Sequence, residues 1–145
     1  MEMPQAVGME IKALSNLFRR RVDCMVSCSM EDPPTGLQAM VIRFLVDHGS
    51  EGDLFQRDVE TAFSMRRPTA TGVLQLMEKN GLLLREPVAH DARLKRLVLT
   101  PKALQFHEDI TRHLREVETL AVRGLTAEEI DTFFCLTAKI RKNLS

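Results

Sequence analysis

The 145-residue chain contains no run of about 18 apolar residues, so no membrane-spanning helix is expected. Its first residues, MEMPQAVGMEIK, lack the basic-then-apolar order of a secretory leader, and a cytoplasmic protein is the expectation. Cysteine is scarce: Cys24, Cys28 and Cys135 make an odd count with no C-x-x-C, which argues against a disulfide scaffold or a zinc finger. No G-x-S-x-G, P-loop or G-x-G-x-x-G occurs. His48, His90, His107 and His113 share no metalloenzyme spacing, so no enzyme is expected, and no cofactor or resident metal is implied.

The chain also lacks net charge, but its charges are unevenly placed. Between Ser64 and Lys102 lie eight basic residues (66, 67, 79, 85, 93, 95, 96 and 102) against three acids (78, 86 and 91), and the remainder is correspondingly acidic. A basic block in an acidic frame gives a directional field of the kind that attracts phosphate. With 44% hydrophobic residues there is material for a core.

Periodicity orders the elements. Ile11, Leu14, Phe18, Val22 and Met25 recur every three or four residues, predicting a helix over about 8–28. Thr35 and Gln38 form a capping-box pattern opening a helix that Gly49 closes. Asp53 and Gln56 repeat that pattern before DLFQRDVETAF, and a fourth helix runs from Pro68. LLLREP and RLKRLVLT, separated by Pro87 and the polar VAHDAR, read as a β-hairpin with a charged tip. Thr100-Pro101 starts a long helix with the apolar face Ala103, Phe106, Ile110, Leu114, Val117 and Ala121. Gly124 ends it, and Thr126 with Glu129 caps a last helix. The class is mostly α (α+β), with a helix-turn-helix order inside it.

The long helix would run ~30 Å at ~1.5 Å per residue, more than the middle of the chain can cover. Its stripe must pack on the other terminal helix or on a second copy. The expected organisation is therefore a homodimer through residues 8–30 and 101–145, with residues 35–100 as a separate binding domain.

The stretch MRRPTATGVLQLMEKNG, residues 65–81, concentrates the candidate chemistry. A helix N-terminus carries roughly +0.5 of an elementary charge, so Arg66 and Arg67 are locally unfavourable there and become useful beside an anion. Ala70, Val73, Leu74 and Met77 share one face and should be buried. Thr71, Gly72, Gln75 and Lys79 share the other with Pro68, a polar, slim, acid-free surface suited to a DNA major groove. Thr69 and Thr71, in the first turn, suit phosphate oxygens or local capping. Gly72 costs ~1 kcal/mol relative to Ala in mid-helix, so a close neighbour is expected, in the protein or in the groove. Arg93 at the hairpin tip, near Lys95, can enter a narrow minor groove. Asp91 is expected to orient an arginine or shape the turn. Cys24 and Cys28 share a helix face, as do Asp109 and His113, and together could hold a soft divalent metal.

Two segments together resemble the MarR family of winged helix-turn-helix transcription factors: SMRRPTATGVLQLMEKNGLLLRE, and HDARLKRLVLTPKA with its D-x-R before a strand ending in Leu-Thr. The resemblance runs from about Leu37 to Phe106. It implies a two-stranded wing, terminal helices that form a dimerisation domain, and a homodimer on a pseudo-palindromic double-stranded DNA operator. It places the recognition role on residues 66–75 and the minor-groove role on Arg93. Family members are commonly repressors released by small aromatic compounds, metals or oxidation, so a small-molecule effector is implied.

There are departures. Many members carry arginine where this chain has Gly72, so base preference does not transfer. Peroxide sensors use an early cysteine with tyrosines, whereas Cys24 and Cys28 come late in their helix and tyrosine is absent. Zinc-responsive members pair histidines four apart, and His107 has Thr111 at that offset. A metal- or redox-responsive DNA-binding sensor, or a winged-helix module that binds protein, are the alternative readings.

Overall fold

A computed structural model describes residues 6–145; residues 1–5, the start of the segment read for a leader, lie outside the described residues. The elements are α1 (Val7–Ser29), α2 (Gly36–His48), α3 (Gln56–Ala62), α4 (Arg67–Lys79), β1 (Leu83–Val88), β2 (Asp91–Leu99), α5 (Pro101–Ala121) and α6 (Ala127–Leu144). The described residues form six helices and a two-stranded antiparallel wing. No helix among the described residues is long and apolar enough to cross a membrane.

Two compact units divide the chain, one of residues 24–111 and one made from the segments before 24 and after 111. The first holds the core. Val41, Ile42 and Leu45 of α2, Val59 of α3, and Leu74 and Met77 of α4 are buried with Leu82, Leu83, Leu97 and Ala103. Ala70, Leu74 and Met77 form the buried stripe of α4, and Val73 packs against the cluster half-buried. In the second unit α6 buries none of its residues, and Phe133 and Phe134 stand exposed beside each other with ring centroids 5.7 Å apart.

Local signals set most boundaries. The Thr35 hydroxyl accepts from the Gln38 N–H at 3.3 Å, while the Gln38 side-chain oxygen accepts from the Thr35 N–H at 3.1 Å. Thr126 and Glu129 do the same at the head of α6. The Thr100 hydroxyl accepts from Ala103 N–H and donates to the Gly81 carbonyl, tying the start of α5 to the end of α4. Gly81 takes φ +71°, which lets the Leu82 N–H reach back to the Met77 carbonyl and drops Leu82 into the core.

Gly49 closes α2 as expected, with right-handed backbone (φ −65°). Two expectations are corrected. The Asp53–Gln56 capping pair is not made. Helix α3 starts at Gln56, and the Asp58 carboxylate accepts from the Phe55 N–H at 2.7 Å; the Asp53 carboxylate is drawn instead to Arg96 at 3.1 Å. The hairpin tip is shorter than VAHDAR, because β2 begins at Asp91 and only Ala89 and His90 connect the strands. Pairing runs Leu83↔Leu99 to Pro87↔Lys95, then jumps to Val88↔Asp91, so Ala92, Arg93 and Leu94 bulge from the ladder.

Candidate nucleic-acid interface

Helix α4 is reached from α3 by a tight turn in which Ser64 takes φ +49°, an uncommon left-handed conformation for a residue with a side chain. Arg66 occupies the N-cap position and Arg67 the first helical residue; no side chain caps this end of the helix, and the first turn holds no acid. The free N–H groups and two exposed guanidiniums therefore coincide at one end of the helix.

Along the outward face, Pro68, Thr69, Gly72, Gln75 and Lys79 are exposed. A Cβ built on Gly72 meets nothing within 4 Å, so among the described residues no protein neighbour crowds this mid-helix glycine. The reason is its position on α4, away from the buried stripe of residues 70, 74 and 77. Thr71 departs from the expected outward orientation. It is half-buried, and its hydroxyl accepts from Gln56 Nε2 at 2.8 Å, because α3 packs on that side of α4.

Gln56, read from the sequence only as a capping residue, is the centre of a polar network. Its amide nitrogen also donates to Glu60 at 2.9 Å and to the Arg67 carbonyl at 3.4 Å, and its oxygen accepts from Arg85 at 3.3 Å. Arg85, on β1, donates through Nε to the Glu78 carboxylate at 3.1 Å. One amide and one guanidinium thus join α3, α4 and the wing, and they fix the pitch of α4 against the hairpin.

On the wing, the Asp91 carboxylate accepts from the Arg93 backbone N–H at 2.9 Å, so this acid shapes the turn. Arg93 and Lys95 are exposed. Arg96 is spent elsewhere, on Glu86 at 2.8 Å and Asp53 at 3.1 Å. Its pKa is raised, first by the hydrogen bond from its guanidinium to Glu86 and then by that to Asp53. Of the eight cations in the basic block, Arg85 and Arg96 are therefore internal ties, and the field outside comes from the rest.

A cleft of about 330 Å³ lies between α3, the head of α4 and the wing, with Arg57, Arg67, Arg85, Arg93 and Lys95 around it and Glu60 as its acid. It collects Arg67, Arg93 and Lys95 from the expected set and leaves Arg66, Thr69, Gly72 and Gln75 on the helix outside it. Arg57 and Arg85 join from outside that set. No sequence spacing pointed to them, since the cations they join come from other elements of the fold.

Among the described residues no group of three His, Cys, Asp or Glu side chains could hold a metal ion, so Cys24, Cys28, Asp109 and His113 are not assembled into a site. Cys24, Cys28 and Cys135 are free and exposed.

Residues 33–94, which span α2 through the bulge of the wing, match the sequence model of the MarR family. That segment resembles the MarR family, and its elements are those of a winged helix-turn-helix. Solved structures extend the likeness to nearly the whole chain. MepR, a transcription regulator of the Staphylococcus aureus multidrug efflux pump MepA, is 23% identical with a TM-score of 0.79, over 97% of this chain and 99% of that one. A point mutant of S. aureus MepR bound to an oligodeoxyribonucleotide is 22% identical with a TM-score of 0.70, over 98% and 100%. The heme sensor protein PefR from Streptococcus agalactiae, in complex with heme, is 24% identical with a TM-score of 0.72, over 97% and 95%. At these identities the structures establish a shared fold.

Proposed function

We propose that the protein is a homodimeric, sequence-specific DNA-binding repressor of the cytoplasm, acting at a pseudo-palindromic operator and released by a small-molecule effector. The observation that carries this reading is the convergence of unpaired cations from the head of α4 and from the wing on one side of the same unit, beside an exposed, acid-free helix face. An α-helix fits the major groove, and an arginine on a projecting wing suits the narrow minor groove beside it.

Residue roles follow from position. Arg66 and Arg67 hold phosphates or a guanine at the groove edge. Thr69 and Gln75 position or read bases, Gly72 allows close approach, and Arg93 with Lys95 anchors the wing. Thr71 contributes less directly than its spacing implied, since its hydroxyl is already engaged by Gln56. Residues 35–100 act as the DNA-binding domain.

Dimerisation through 8–30 and 101–145 is supported by apolar surface left exposed among the described residues. Neither α1 nor α6 has a buried residue, although they carry Met9, Ile11, Leu14, Leu17, Phe133 and Phe134. Burying such surface is worth roughly 25 cal/mol per Å². The solved MepR–oligodeoxyribonucleotide and PefR–heme complexes give precedents in this fold for DNA and for an effector.

The test is duplex binding across a salt series. The reading expects affinity to fall steeply with salt, by about 10³–10⁵ between 50 and 200 mM if 6–10 phosphates are contacted, and one sequence to be held well above random DNA. A shallow salt dependence with no sequence preference would favour a protein-binding winged helix.

A further inference from the structure

Arg57, Arg67, Arg93 and Lys95 border one cleft, and among the described residues their side chains form no ion pair. Glu60, the acid of that cleft, accepts from Gln56, and the charge of Arg85 is committed to Glu78. Like charges gathered in one concavity repel, and the arrangement is relieved by an anion. Arg57 is also restrained: its guanidinium carbon lies 5.7 Å from the centroid of the Phe55 ring, within cation–π range. A held arginine loses less freedom on meeting an anion than a free one.

We propose that this cleft seats a phosphate group, with Arg57 of α3 as a phosphate-holding residue beside Arg67, Arg93 and Lys95. The assignment rests on the DNA-binding reading for the source of the phosphate. A helix in the major groove and a wing in the adjacent minor groove straddle the sugar–phosphate strand that separates the two grooves. The cleft lies between those two elements, so a backbone phosphate of the bound duplex is its natural occupant. Phosphate contacts fix register without reading sequence, which sets Arg57 apart from the residues on the outer face of α4.

The experiment combines two substitutions with neutralised DNA. The operator is prepared with a single methylphosphonate at each backbone position in turn and titrated with wild-type, Arg57→Ala and Arg57→Lys protein. Arg57→Ala is expected to weaken binding about tenfold, evenly across sequences, and to lower the salt slope by about one. One methylphosphonate position should weaken the wild type more than Arg57→Ala, in which Arg67, Arg93 and Lys95 still face that phosphate. Arg57→Lys should restore the slope, which a purely structural role for Arg57 would not do. Wild-type affinity and slope in Arg57→Ala, or equal losses in both proteins at every methylphosphonate, would overturn the assignment. A second arm titrates inorganic phosphate without DNA, followed by NMR of the arginine side chains. Arg57-dependent phosphate binding in a protein that ignores duplex DNA would keep the phosphate site and overturn the DNA reading. Binding of neither would overturn both.

Discussion

Replacing Gly72 by Ala separates two reasons for a glycine in the middle of a helix. Gly72 is the sixth residue of α4, and its missing Cβ would meet nothing within 4 Å. Glycine disfavours a helix interior by about 0.8–1.0 kcal/mol relative to alanine, through backbone entropy and exposure of the peptide. With no packing conflict to offset that gain, Gly72→Ala should stabilise the protein by about 1 kcal/mol. For a chain of this size that raises Tm by roughly 2–5 °C, with a higher urea midpoint at unchanged m-value. The same methyl group stands on the face proposed to enter the groove, so operator affinity should fall several-fold while Tm rises. Circular dichroism melts and operator titrations of the one variant supply both readings. A lower Tm would refute the open-face geometry, because the glycine would then be accommodating a close neighbour. A higher Tm with unchanged operator affinity would refute the slim-face explanation.

Other perturbations follow from the same geometry. Arg93→Ala, at the exposed bulge of β2, should weaken operator binding by ~1–3 kcal/mol at fixed salt if the side chain enters the minor groove; unchanged affinity removes that role. Leu74→Ala deletes a fully buried side chain between α2, α3 and the wing and should cost about 3–5 kcal/mol in urea denaturation; a loss below about 1 kcal/mol would contradict the packing. Arg85→Met removes the guanidinium that joins Glu78 to Gln56 and leaves both without it. It should cost about 1–2 kcal/mol of stability and blunt the preference for operator over random DNA, and an unaltered preference would show that the pitch of α4 is set otherwise.

Legibility from the sequence tracked the distance between interacting groups. The capping pairs Thr35–Gln38 and Thr126–Glu129 involve residues three apart, and both are made as read. The stripe Ala70, Leu74 and Met77 was equally readable, because helical period alone places those residues together. Asp53 was misassigned because the group that claims it, Arg96, is 43 residues away and invisible to a local pattern. Gln56 failed for the same reason: its partners Thr71 and Arg85 lie 15 and 29 residues on. Counting charges found the basic block and could not tell that Arg85 and Arg96 are neutralised inside it. Short runs rich in Leu and Val marked both strands but gave no sign of the bulge that carries Arg93, since nothing in VAHDAR sets where pairing resumes.

The central claim is that the cationic cleft and the outer face of α4 together read a particular duplex. Selection of binding sites from random double-stranded DNA tests it most directly. The account predicts enrichment of one pseudo-palindromic motif, with half-site centres about one helical turn (~34 Å) apart or a multiple of that spacing, as a two-fold dimer requires. Repeated rounds that enrich no motif, from protein confirmed to be folded, would contradict it.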